Sequence, residues 1–147
     1  MKRTYFFIIT LILILSACAP AMDEPVSSDT PSEPQPGDYI PRPSDSALTR
    51  GTVFLEGTDL LTMESFPLQF SLSLRGSLPT PCHQLRVAVS APDPENKILV
   101  DVYSVTSPDL ICIQVLEEFS VNIPLGSFPT GTYTLWINGE QIAEFQS

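Results

Sequence analysis

Few side chains in this sequence could do chemistry: three cysteines (Cys18, Cys82 and Cys112) and a single histidine, His83. A histidine acting as a general base needs a nucleophile within reach and an acid to orient it. The sequence offers no G-x-S-x-G elbow, no H-E-x-x-H pair and no C-x-x-C pair. One histidine and two cysteines cannot complete a tetrahedral zinc site, so no metal is expected. Asp93, Glu95 and Asn96 share a turn but lack the spacing of a calcium-binding EF-hand loop. Glu117-Glu118 reads as a solvated strand end rather than a carboxylate pair across a cleft. These residues predict neither catalysis nor a cofactor.

Two aromatic residues are better candidates. Trp136 lies between Leu135 and Ile137, and Tyr103 follows Val102. By alternation both rings fall on the outward side of their strands, with Tyr133, Leu135 and Ile137 inward. An outward ring can stack on a sugar or anchor a protein partner. The expected ligand is therefore a protein or a glycan.

Charge excludes one class of partner. The formal net charge is -10. Residues 1–17 carry Lys2 and Arg3 and no acid, so their removal takes it to -12. Residues 51–147 hold three basic side chains (Arg75, Arg86 and Lys97) against 11 acidic ones. Nucleic-acid binding needs a basic stripe that displaces counterions, so no nucleic-acid partner is expected. Anionic lipid heads would repel the same surface.

The elements that must position these residues fall into three segments. Residues 1–17 read as a signal peptide, with Lys2 and Arg3 before the apolar run from Tyr5 to Leu15. That run is too short to span a bilayer, which takes roughly 20 apolar residues. Leu15-Ser16-Ala17-Cys18 resembles a lipobox, the cleavage site of bacterial lipoproteins. The resemblance implies cleavage before Cys18, a diacylglycerol on its thiol and often a further acyl chain on the new amino group. It thus implies membrane attachment through lipid on Cys18, in the cell envelope on the extracytoplasmic side. Ala19 follows the cysteine, which favours the outer membrane if the organism has one. Two or three acyl chains hold a protein firmly where a single chain does not.

Residues 18–50 read as a disordered linker headed by the lipidated cysteine. Between 19 and 46 lie seven of the 15 prolines, with Ser, Asp and Glu and one aromatic, Tyr39. Such a composition cannot bury enough apolar surface to offset its ordering entropy. Its reach would lie between roughly 30 Å as a coil and about 85 Å extended.

Residues 51–147 read as one all-β domain, an immunoglobulin-like antiparallel β-sandwich of about seven to eight strands. Leu68, Phe70, Leu72 and Leu74 alternate with Gln69, Ser71, Ser73 and Arg75. Leu85, Val87 and Val89 alternate with Gln84, Arg86 and Ala88, and Phe119, Val121 and Ile123 with Glu118, Ser120 and Asn122. This is the period of a strand with one face buried. Ile98, Val100 and Val102 follow it less cleanly. Residues 52–56 and 60–64 are weaker strand candidates. Asn138-Gly139 predicts a tight hairpin turn, and a bulged form is preferred because it puts Ala143 and Phe145 on the core side.

Once Cys18 carries lipid, Cys82 and Cys112 remain in a non-cytosolic compartment, where a disulfide is the default over two free thiols. A loop held by that bridge, residues 78–83, suggests a second function: an extracellular protease inhibitor that offers the loop to an enzyme.

From Glu64 onward the chain also resembles an uncharacterised family of bacterial secreted β-sandwich domains. The matching residues are Glu64-Ser65-Phe66-Pro67, Gly76-x-Leu78-Pro79-x-x-Cys82, Pro108-x-x-x-Cys112, Phe119, Ile123-Pro124-Leu125, and Gly131-Thr132-Tyr133 with Asn138-Gly139. The resemblance implies the fold and the disulfide, and carries no activity.

Overall fold

A computed structural model describes residues 37–147. The segments expected to be a signal peptide, a lipobox with Cys18 and the first part of a linker lie outside the described residues.

A short 3-10 turn, Pro43–Ala47, is followed by eight strands: β1 (Thr49–Gly51), β2 (Phe54–Met63), β3 (Gln69–Leu78), β4 (Gln84–Val89), β5 (Lys97–Thr106), β6 (Glu117–Gly126), β7 (Thr132–Ile137) and β8 (Glu140–Gln146). They form two sheets. One holds β2, β3 and β6; the other holds β1, β5, β7 and β8, with β4 on the second edge of β5. The all-β sandwich read from the alternation is thus the observed fold. The two weak strand candidates are one strand, β2, with an irregularity between Leu55 and Gly57. At that irregularity β2 crosses close over Gly76, where a Cβ would collide with the Phe54 carbonyl oxygen. This close approach accounts for the glycine of the G-x-L-P stretch.

One pairing departs from the antiparallel expectation. β5 and β7 run parallel, with Ile98 opposite Leu135 and Leu99 opposite Trp136. Between them the chain crosses to the other sheet as β6 and returns. A parallel pair requires such a crossover.

The inner faces meet where the period-2 pattern places them. Leu72, Leu74, Phe119, Val121 and Ile123 pack against Val87, Ile98, Val100, Leu135 and Ile137. Leu68 and Val89, expected on this face, lie at its margin and are exposed. At one end four aromatic rings meet: Phe70 lies 4.5 Å from Phe145 and 5.8 Å from Phe128, and Tyr133 lies 5.1 Å from Phe128.

The β7–β8 hairpin turns on two residues, Asn138 (φ 50°) and Gly139 (φ 91°), with Ile137 opposite Glu140. The bulge comes after the turn: Trp136 pairs with Gln141 and Leu135 with Ala143, leaving Ile142 extra. The shift sends Ala143 and Phe145 toward the core, as the bulged reading required, although the turn itself is the short one.

The boundary of the folded unit needs correction. Residues 37–50, read as linker, belong to the fold. Tyr39 is buried, its carbonyl accepts the Val87 N–H at 2.8 Å, and its hydroxyl donates to the Asn122 carbonyl at 3.3 Å. The segment therefore lies along the free edge of β4 and ties it to β6 of the opposite sheet. Covering an edge strand removes a template for unwanted pairing.

Arg86 anchors the same segment. Alternation put it in solvent, yet its side chain keeps only 2% of its accessible surface, because the segment folds over it. Its Nε and Nη2 donate to the two Asp45 carboxylate oxygens at 2.7 and 3.0 Å, and Nη1 donates to the Asp38 and Leu85 carbonyls. The Arg86 hydrogen bonds, helped by the Arg42 backbone N–H, hold the Asp45 carboxyl at about 2, below its ordinary 3.8. A depressed carboxyl contributes stability above its unfolded pKa and loses it as pH falls through the folded value. Wild-type protein should lose melting temperature between about pH 4 and pH 2 more steeply than Asp45→Asn. Thermal melts across that window check this; identical acid slopes would contradict the role given to Asp45.

Candidate functional site

The outer face of the five-stranded sheet divides in two. Residues 37–47 cover the β4 half through Arg86. The other half stays open, because two strands share one edge of β5 with a space between them. β7 pairs with residues 97–100 and β1 with residues 104–106. Val102 falls in that gap. Asn138 fills its hydrogen bonds: the side-chain Oδ1 accepts the Val102 N–H at 2.8 Å and Nδ2 donates to the Val102 carbonyl at 2.9 Å. One side-chain amide thus replaces a missing strand residue, and the turn residue doubles as a clamp. Nothing in the local sequence signalled this second role, which depends on the offset between β5 and β7.

Above the gap lies a groove of about 580 Å³, lined among others by Trp136, Tyr103, Leu99, Asp101, Arg50 and Asn138. The two aromatics chosen from alternation are therefore brought together in one concavity. Each is half-buried rather than freely exposed. A cation lies over each ring: Lys97 Nζ is 3.9 Å from the Trp136 ring centroid, and the Arg50 guanidinium carbon is 3.8 Å from that of Tyr103. Trp136 Nε1 donates to Thr134 Oγ1 at 3.1 Å, which fixes the indole in its plane. Arg50 is fixed in turn by Asp101, whose oxygens accept from one Nη2 at 2.6 and 2.8 Å. Such cation–ring contacts are worth about 0.5–1 kcal/mol at exposed sites. They hold rings and charges in place before any ligand arrives. They also occupy a face of each ring, which disfavours simple stacking on a sugar.

The remaining sequence candidates have structural roles. His83 is half-buried beside the disulfide, with Nδ1 2.8 Å from Thr80 Oγ1. Asp93 Oδ1 accepts the N–H groups of Glu95 and Lys97 at 3.0 and 2.8 Å, closing the β4–β5 turn. Asn96 there has φ 59°. Among the described residues, no group of three or more His, Cys, Asp or Glu side chains comes together as a metal site would need.

The disulfide joins Cys82 and Cys112, with Cα atoms 6.0 Å apart. A model of the ORF11 beta-sandwich domain matches residues 72–147, which include both cysteines, the aromatic groove residues and the Asn138 clamp. The chain belongs to this family. No curated protein and no solved structure matches it. The ORF11 match covers most of the span over which the secreted-domain resemblance was read, and it agrees on a β-sandwich.

Within the ORF11 domain, one expected feature is misplaced. Residues 78–83 do not project toward a partner. Leu78 and Thr80 are buried, and Thr80 Oγ1 accepts the Cys82 N–H at 3.3 Å. The exposed side of the disulfide is the other one, residues 110–116, an aliphatic stretch that belongs to no alternating strand.

Proposed function

We propose that this chain is an envelope lipoprotein, anchored by lipid on Cys18 and facing away from the cytoplasm, whose β-sandwich recognises a protein ligand without catalysis. The observation that carries the binding half is the groove, which Trp136, Tyr103 and Arg50 all line, with Arg50 over the Tyr103 ring. Trp, Tyr and Arg are the residues that most often dominate protein–protein affinity, chiefly where water is excluded around them. A protein ligand is favoured over a glycan because Lys97 and Arg50 already lie over the two rings. The ligand gains from this order, since prearranged side chains lose less entropy on binding.

The anchoring half rests on Leu15-Ser16-Ala17-Cys18 after an apolar run with a basic head. Radiolabelled palmitate should enter the wild-type chain and not the Cys18→Ser variant, and the variant should leave the membrane fraction or remain unprocessed. Equal labelling of both would overturn the anchor.

A further inference from the structure

The sequence holds three asparagines, Asn96, Asn122 and Asn138, followed by Lys97, Ile123 and Gly139. The main-chain nitrogen of the next residue can attack an asparagine side chain, and a side chain on that next residue hinders the attack. Gly139 presents none, which makes Asn138 the most open of the three to this reaction. Both turn residues are exposed, so water and solvent base reach them. A Cβ on Gly139 would meet no atom within 4 Å, so nothing is packed over the glycine.

In the folded chain the Asn138 carboxamide is nevertheless held. Its Oδ1 accepts the Val102 N–H at 2.8 Å and its Nδ2 donates to the Val102 carbonyl at 2.9 Å. The Asn138 N–H also donates to the Val100 carbonyl at 3.0 Å. Attack on Cγ requires the carboxamide to turn its face toward the Gly139 nitrogen. It cannot turn while both of its ends are bonded in the gap of β5. Local opening must come first, and native copies open only a small part of the time.

We propose that Asn138 is a site of folding-gated deamidation, kept intact by the clamp on Val102 and converted in copies whose clamp is open. The Gly139 nitrogen gives its proton to solvent base and bonds to Asn138 Cγ. The Cγ–Nδ2 bond breaks, and Nδ2 takes a proton from water and leaves as ammonia. A second water opens the resulting cyclic imide at either carbonyl, giving aspartate or isoaspartate at position 138, with no oxidant or reductant. Neither product restores the clamp. A carboxylate only accepts, so the donor to the Val102 carbonyl is lost and oxygen faces oxygen. Isoaspartate also adds a methylene to the main chain inside the two-residue turn that sets Ile137 opposite Glu140. Asn138 and Gly139 line the groove with Trp136, so conversion marks a copy that has spent time unfolded and alters its groove wall. The inference rests on the clamp geometry and stands apart from any ligand of the groove.

The test incubates the full chain at mildly alkaline pH, native and unfolded in urea. Peptide mass mapping follows the conversion of amide to acid, and an isoaspartyl methyltransferase detects isoaspartate. In urea, position 138 should convert ahead of Asn96 and Asn122. In the native chain it should convert about tenfold or more slowly, because the clamp must open first. Gly139→Ala should slow the conversion in urea, where the φ of the turn no longer matters. Asn138→Asp should lower the melting temperature and speed hydrogen exchange of the Val102 amide, which reports the clamp directly. Equal rates in native and unfolded chain, conversion of Asn96 or Asn122 as fast as Asn138 in urea, or wild-type protection of Val102 in Asn138→Asp would each overturn the proposal. The rate comparison uses the wild-type chain, so it decides even where a variant does not fold.

Discussion

Phe70→Ala should lower the unfolding free energy by about 3–5 kcal/mol, the range for truncating a fully buried aromatic. The side chain is 1% exposed and touches Phe145 and Phe128 in the ring cluster at one end of the sandwich. Phe145 comes from the last strand and Phe128 from the β6–β7 connection, so the cavity would open where three segments meet. Little nearby can collapse into it, because β3 is the central strand of its sheet and is paired on both sides. Phe70→Leu keeps most of the volume and should cost clearly less. Urea unfolding of the two variants and the wild type gives the comparison. A cost below about 1 kcal/mol for the alanine variant would mean that the ring cluster is not packed as described.

Loss of the Cys82–Cys112 bridge should cost about 3–4 kcal/mol in the chain-entropy treatment. The bridge closes a separation of 30 residues that includes the whole β4–β5 hairpin and the loop after it. Opening it releases that loop in the unfolded chain, and the folded state gains nothing in return. Cys82→Ser, Cys112→Ser and the double variant should therefore lie close together, because each single change already breaks the bond. Titration of the exported, denatured wild-type chain should show no thiol from this pair. Two free thiols there, or single variants as stable as the wild type, would contradict the bridge's role.

The period-2 runs placed most of the core correctly, because a half-buried strand writes its buried face directly into every second residue. Leu72, Leu74, Val121 and Leu135 needed nothing beyond their neighbours to be assigned. What alternation cannot show is a second layer. Arg86 was read as solvent-facing for the right local reason, and it does point away from the core. Its burial comes from Asp45, 41 positions away, on a segment whose prolines suggested a linker. Tyr39 was hidden by the same composition, although one large aromatic in an otherwise polar stretch was a usable signal. The parallel β5–β7 pair, and with it the gap that Asn138 fills, follows from how the chain crosses between sheets. Local pattern carries no record of that crossing. Trp136 and Tyr103 were chosen by strand alternation, but their meeting in one groove depends on it too. The exposed stretch at residues 110–116 had a visible mark: several aliphatics with no alternating polar partner, next to a cysteine.

The binding role proposed for the groove can be tested in the cell of origin by placing the photocrosslinker p-benzoylphenylalanine at Leu99, which is exposed on the groove and lies opposite Trp136 across the β5–β7 pair. A control at Ser120, exposed on the opposite sheet, samples random neighbours. The account predicts a discrete protein adduct from position 99 that is absent from position 120 and is lost when Trp136→Ala is added. No adduct from position 99, the same adducts from both positions, or an adduct indifferent to Trp136→Ala would contradict it.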